Sequence, residues 1–274
     1  MKKILRKITR IILQFLLVLI VLYVASLVFF YFKQEKFFFN PKHLDSDYVY
    51  SFKESFEEIN LHVEKDIQLN ALHFKAENPK GIVLYLHGNA GALHDWGKRA
   101  HLFLENNQDV FFVDYRGYGK SDGKYTKDSQ LFNDVQKAYD YVKGIYNEDQ
   151  ITVLGYSLGS GLAAYLASKN KPKQLILNAP YYSWKTLVAE EIAAPIPRYL
   201  VKYDIKTFEY LEHATCPIQI FHGTRDYLIN AKTNCDQLKE LYPDKINLTY
   251  IIDGAHNDIH ITKQYYDALK ILLD

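Results

Sequence analysis

The sequence is poor in residues that staple or interrupt a fold. Two cysteines in 274 residues, Cys216 and Cys235, are too few for a disulfide framework, and they form neither a Cys-x-x-Cys pair nor a four-ligand zinc pattern. Both are read as ordinary core or surface residues, with one disulfide between them left open. Thirteen glycines and eight prolines exclude a collagen-like chain and a flexible linker protein. No segment recurs with a period of about 20–50 residues, which excludes a solenoid or propeller. Neither sign of charge dominates, since 33 Lys and Arg face 32 Asp and Glu. The balance is uneven along the chain: residues 1–10 carry five basic residues and no acid, leaving 28 basic against 32 acidic residues in the remainder. A body with a small acidic surplus lacks the footprint of a nucleic-acid binder, so no nucleic acid is expected as a partner.

What the chain does have is one long apolar run. Residues 11–32 hold no charge, and Gln14 and Ser26 are their clearly polar side chains. As a helix such a run reaches about 33 Å, enough for a hydrocarbon core of roughly 30 Å. It continues through Phe29, Phe30, Tyr31 and Phe32, where a signal peptide would turn to small residues before cleavage, so a retained transmembrane anchor is expected. Lys2, Lys3, Arg6, Lys7 and Arg10 before the run outnumber Lys33, Lys36 and Lys42 after it. That bias puts the N-terminus in the cytoplasm and the rest of the chain outside. A basic segment (1–10), an anchor (11–32) and a juxtamembrane connector (33–58) then precede a domain over 59–274. In the connector, Phe37, Phe38 and Phe39 beside Lys33 and Lys36 read either as an interfacial belt or as the start of the domain's core.

Beyond residue 59, short β-rich runs alternate with helical stretches. Residues 59–64 and 67–74 alternate polar and apolar side chains, as in an antiparallel pair with one solvated face. Runs near 81–87, 110–114, 151–155, 175–178, 218–222 and 248–252 are almost continuously apolar, as buried parallel strands are. Helical patterns occupy about 94–106, 131–146, 158–169, 230–242 and 261–273. This alternation predicts an α/β fold, a mostly parallel central sheet with helices on both faces. Residues 181–215 lack a clear strand and contain Ala194-Pro-Ile-Pro197; they are read as a short lid.

In such a sheet reactive groups gather at the carboxyl ends of strands. After the 151–155 run comes Gly155-Tyr-Ser157-Leu-Gly159 and then an Ala/Leu-rich helix, so Ser157 stands where a sharp strand-to-helix turn would project its hydroxyl. A serine needs a base and a group to orient that base. Asp226, four residues past the 218–222 strand, and His256, just after the last strand, follow in the order Ser, Asp, His. Asp253 is the rival acid, but it precedes Gly254 as a turn residue would. Oxyanion donors are expected from the backbone N–H of Leu158 and from that of Asn89, or less favourably Ala90, in His87-Gly-Asn-Ala-Gly91. His87 itself is read as a loop brace. Gly119-Lys-Ser-Asp-Gly-Lys124 is one residue short of a phosphate-binding loop, and Tyr125 stands where Ser or Thr would hold Mg²⁺. His256 and His260 have the spacing of two metal ligands, yet Asn257 replaces the Glu base of a zinc peptidase, so no metal is expected.

Five ordered segments, His-Gly-Asn-Ala-Gly at 87–91, Asp-Tyr-Arg-Gly-Tyr-Gly-Lys-Ser-Asp-Gly at 114–123, Gly-Tyr-Ser-Leu-Gly at 155–159, His-Gly-Thr-Arg-Asp at 222–226 and Gly-Ala-His at 254–256, together resemble the α/β-hydrolase superfamily. The similarity is greatest to its membrane-anchored serine-aminopeptidase-like and abhydrolase-domain members, whose post-anchor segment is similar to residues 34–41. The resemblance implies an α/β-hydrolase fold, a Ser157–His256–Asp226 triad, an oxyanion hole at Asn89 and Leu158, and a structural loop over 114–123 braced by Arg116. It implies no cofactor. The expectation is a membrane-anchored serine hydrolase of carboxylic esters, lipid or acyl esters included. The substrate would pass Leu187, Val188, Ile192, Ile196 and Leu200 of the lid. A peptidase with the same triad is the alternative, with Glu190 and Glu191 as candidates to receive an amine, and a non-catalytic membrane scaffold is the alternative of another class.

Overall fold

The computed structural model describes residues 2–192 and 196–274, without the side chains of 190–192. Helix α1 (Lys2–Phe38) is a single 37-residue element. It contains neither Gly nor Pro, and it stops just before Asn40-Pro41, where proline disfavours helical geometry in the residue ahead of it. It outlasts the expected anchor by six residues because Lys33-Gln-Glu-Lys36 are good helix formers. None of its 18 most hydrophobic residues in a row is buried, and the helix is long and apolar enough to cross a membrane.

Strand β1 (Asn40–Pro41) follows directly, then β2 (Phe56–Glu64), β3 (Ile67–Phe74) and β4 (Gly81–Leu86). The connector is not detached from the domain: Phe38, Phe39 and Tyr50 are buried and belong to its core. Strand β5 (Ala90–Gly91) pairs in parallel with β1. The helix expected over 94–106 is broken into α2 (Leu93–Trp96), a 3₁₀ turn at 97–99 and α3 (His101–Leu104). Gly97, a poor helix former, sits at the break, packed so closely that a Cβ there would come within 2.6 Å of the Phe52 ring. Strand β6 (Gln108–Val113), helix α4 (Asp128–Lys143), strand β7 (Ile151–Tyr156), helix α5 (Leu158–Lys169) and strand β8 (Gln174–Asn178) match the expected alternation.

After β8 come α6 (Trp184–Thr186), a π-helical turn over Leu187–Ile192, a 3₁₀ turn at Arg198–Leu200 and α7 (Thr207–His213). Leu187 and Val188 do not face out of this cap. They are buried in the main core with Trp184. Ile196 and Leu200 are half-buried at its margin. The side chains of Ile192, Glu190 and Glu191, and residues 193–195 within Ala194-Pro-Ile-Pro197, lie outside the description. Strand β9 (Ile218–Gly223), helix α8 (Cys235–Leu241), strand β10 (Ile246–Ile251) and helix α9 (Lys263–Leu273) complete the chain.

Eight strands form one sheet in the order β10-β9-β8-β7-β4-β6-β3-β2, and the antiparallel pairs are β2–β3 and β3–β6. The period-two rule sorts its side chains into two layers. Ile82, Leu84, Leu86, Phe111, Val113, Ile151 and Val153 face α4 and α5 on one side. Val83, Tyr85, Val110, Phe112 and Leu154 face Trp96, Phe103 and Leu269 on the other. Each such fully buried side chain contributes about 1.5–3 kcal/mol. Burial differs from expectation on β3, where Leu69 to Phe74 are buried on both faces: Leu69 and Ala71 pack into the layer that faces α4 and α5, Leu72 and Phe74 into the opposite layer. The thiols of Cys216 and Cys235 are unpaired.

Candidate active site

The carboxyl end of β7 is a turn with no slack. Tyr156 closes the strand, Leu158 opens α5, and Ser157 between them has φ 51° and ψ −115°, a conformation that L-residues rarely adopt. The turn is possible because its neighbours have no side chains. A Cβ at Gly159 would lie 2.0 Å from the carbonyl oxygen of Leu86, and one at Gly155 would lie 2.3 Å from that of Gly159. Strand β8 secures the turn from the side, its Asn178 carbonyl accepting from the Ser157 N–H at 2.9 Å.

Two further strand ends deliver partners to this serine. His256, in the loop after β10, places Nε2 3.0 Å from Ser157 Oγ and Nδ1 2.7 Å from Asp226 Oδ2. Asp226 follows β9, and its other oxygen accepts from the backbone N–H groups of Leu228 at 3.0 Å and Ile229 at 2.9 Å. All three residues are almost enclosed, at 8–9 % exposure, and the Asp226 side chain is wholly buried. Burial pushes the Asp226 carboxyl up, but hydrogen bonding and charge from His256, the Ile229 N–H and nearby His222 outweigh it and hold the group below its ordinary range. Asp253 is elsewhere: it stands at φ 59° in an exposed turn, its N–H donating to Thr224.

The loop after β4 lies against the serine, since a Cβ at Gly88 would be 3.6 Å from that of Ser157. His87 is fully buried at its base, with Nδ1 2.7 Å from the Gly88 carbonyl and Nε2 3.2 Å from Asp114 Oδ1. Within the described structure no hydrogen bond occupies the backbone N–H of Asn89 or Leu158. The 114–123 loop is braced as the resemblance implies: Arg116 grips Asp134 through Nε at 2.7 Å and Nη2 at 2.8 Å, and reaches Glu64 at 3.0 Å. Leu187 and Val188, expected beside the substrate, are buried in the main core, in the same cluster as Leu158.

Several supporting residues have no local sequence signal. Tyr156, inside the serine motif, donates its hydroxyl to the His256 carbonyl and so ties the base's loop to the nucleophile's strand. His222 packs beside Asp226, its Nε2 2.9 Å from the Ile229 carbonyl, and burial keeps its ring from charging at its ordinary pH. Asn89 is held from outside by the segment leaving α1. Its carbonyl accepts from the Asn40 N–H at 3.0 Å and from the Tyr118 hydroxyl at 2.8 Å, and its side chain donates to the Phe38 carbonyl at 3.2 Å. Gln34, fully buried, bridges to the cap by donating to the Leu200 carbonyl at 3.1 Å and accepting from the Lys202 N–H at 2.9 Å. His260, the second histidine of the spacing dismissed above, sits in a 3₁₀ turn at 259–261. Among the described residues no group of three His, Cys, Asp or Glu is gathered as a metal site would need.

A family model described as "Serine aminopeptidase, S33" matches residues 77–206. Alpha/beta hydrolase domain-containing protein 17C of Xenopus tropicalis is 28% identical over 195 residues, which are 69% of this chain and 60% of that protein. The Mus musculus protein of the same name is 26% identical over 235 residues, covering 82% of this chain and 70% of its own length. Among solved structures, an esterase of Pyrococcus furiosus superposes with a TM-score of 0.67 at 20% identity over 85% of this chain and 98% of its own. An alpha-beta hydrolase from Vibrio vulnificus gives 0.66 at 19% identity over 80% and 81%. At these identities the two structures establish a common fold, the α/β-hydrolase fold.

Proposed function

Because the chain has the α/β-hydrolase fold and is similar in sequence to proteins of that superfamily, we propose that it is a membrane-anchored serine hydrolase that cleaves carboxylic esters through an acyl-enzyme. The observation that carries this reading is the unbroken relay of two hydrogen bonds, 3.0 Å from Ser157 to His256 and 2.7 Å from His256 to Asp226. Ser157 Oγ attacks the ester carbonyl while His256 Nε2 takes its proton. Asp226 holds the Nδ1–H tautomer and stabilises the imidazolium. The carbonyl oxygen, now an anion, accepts from the unengaged N–H groups of Asn89 and Leu158, aided by the N-terminus of α5. Collapse expels the alcohol, which takes the proton from His256. Water, deprotonated by the same imidazole, then attacks the acyl-serine and releases the acid.

Helix α1 supplies the tether, and the basic residues ahead of it support an N-terminus in the cytoplasm with the catalytic domain on the other side. One contact favours lipid or other long-chain acyl esters as substrates. The Asn89 side chain donates to the carbonyl of Phe38, the last residue of α1, so the reactive mouth opens close to where the anchor leaves the bilayer. Of the lid residues, Ile196 and Leu200 remain as lining for an acyl chain, being half-buried and thus accessible. The test is a panel of p-nitrophenyl esters of increasing chain length beside aminoacyl amides, with the full-length protein in mixed micelles. Ester turnover that rises with chain length and far exceeds amide turnover is expected; preferential cleavage of aminoacyl amides would replace the ester reading with a peptidase.

A further inference from the structure

A recess lies at the point where α1 ends, next to the loop that carries Asn89. It encloses about 740 Å³ between the last turns of the helix, the cap at Lys202 and the loop over 116–126. Its floor is aromatic, from Phe39, Tyr118 and Tyr125, and its walls are basic. Lys33 and Lys36 come from α1, Lys124 from the loop and His43 from the connector. The one lining carboxylate, Glu35, is already bound to Lys202 at 2.9 Å, and Arg116 is held by Asp134 and Glu64. No carboxylate among the described side chains pairs with Lys33, Lys36 or Lys124. Three lysines without a carboxylate partner, from two separate parts of the chain, therefore line one concave space.

Its place along the chain says what could fill it. Lys33 follows the apolar run of 11–32 without a gap, and exposed Phe32 and Phe37 flank it on the same helix, so the recess stands at the level where lipid head groups begin. Unpaired lysines at that depth attract anionic lipids and not neutral ones. We propose that this recess binds the phosphate-bearing head group of one anionic phospholipid, a site distinct from the triad. The proposal rests on α1 spanning the bilayer. Tyr118 connects the two sites, because it lines the recess and its hydroxyl also holds the Asn89 carbonyl. A head group seated there would fix the height of the reactive mouth above the membrane.

The test uses the full-length protein reconstituted in nanodiscs of phosphatidylcholine containing about one-fifth phosphatidylglycerol, followed by native mass spectrometry of the lipid that stays on the released chain. One retained phosphatidylglycerol per chain is expected. In the double variant Lys36→Glu/Lys124→Glu its retention falls by about thirtyfold or more, each lysine at the surface contributing roughly fivefold. The double variant Lys169→Glu/Lys232→Glu, with the same change in charge at exposed positions away from the recess, keeps it. Equal retention of phosphatidylcholine, or retention that the first variant leaves unchanged, overturns the site. Displacement of the lipid by millimolar inorganic phosphate overturns it too, in favour of a pocket for soluble anions. Fluorophosphonate reactivity of each variant reports whether the fold is intact. If the chain does not enter nanodiscs at all, the anchoring reading fails first and takes the lipid site with it.

Discussion

At the scale of single residues the site depends on two interatomic distances and one strained backbone position. Removing the nucleophile should leave a folded, silent protein: Ser157→Ala is expected to lower kcat by about 10⁴–10⁶ while thermal unfolding stays near that of the parent. An ester-hydrolysis assay with matched melting curves checks this. Acid should act through the buried imidazoles. His260 is pushed down from 6.5 to about 4, first by burial and then by the neighbouring charge of Arg99 and His101, against the pull of Asp258. Between those two values the unfolded chain takes up a proton at this ring that the folded protein refuses, so stability is complete above the window and falls as pH drops through it. His222 acts in the same direction. Asp226, held low in the folded state, adds a further loss at still more acid pH. In His260→Gln the fall in melting temperature between these values should be shallower than in the parent; an identical slope would remove His260 from the account. Ser157, Asp226 and His256 were legible in the sequence because each follows its own strand in a short local pattern. Tyr156 and His222 were not, since a tyrosine and a histidine in a strand read equally well as core.

At the scale of elements, the elbow and the anchor exit make opposite kinds of demand. The elbow demands absence: with 2.0 Å between a Cβ at residue 159 and the Leu86 carbonyl, Gly159→Ala has to move either α5 or β4. It should cost about 1–3 kcal/mol in chemical denaturation and lower activity more than that loss of stability explains. The anchor exit demands contacts. Asn40→Pro deletes the N–H that fixes the Asn89 carbonyl at 3.0 Å, while Tyr118 still holds it. The oxyanion donor then loosens without leaving, so kcat should fall by up to about 10² with KM nearly unchanged. A loss of melting temperature with kcat intact would mean that β1 is only a structural seam. The strands were readable from their apolar runs, and α5 from its Ala/Leu composition. The clamp was not, because Gln34 meets Leu200 and Lys202 across 166 and 168 residues of sequence, and nothing local marks a glutamine as buried. An apolar pair in a loop likewise gives no local sign of the full burial that Leu187 and Val188 have in the main core.

At the scale of the whole molecule, an exposed apolar helix ends against a domain whose reactive mouth is built on that same end. Core formation and the end of the apolar helix are joined at residues 34–41, where Phe38 and Phe39 pack into the main core and β1 pairs with the loop that carries Asn89. The sequence presented an anchor, a connector and a domain as successive pieces, and the contacts that make the last two one body are all non-local. The proposed reaction requires that this body hold an activated serine at the end of β7. The direct measurement is to treat the full-length protein with a fluorophosphonate probe and map the adduct by peptide mass spectrometry. A single adduct on Ser157, formed quickly by the parent and lost in His256→Ala, is predicted; an adduct on another serine, or labelling that is indifferent to His256, would contradict it.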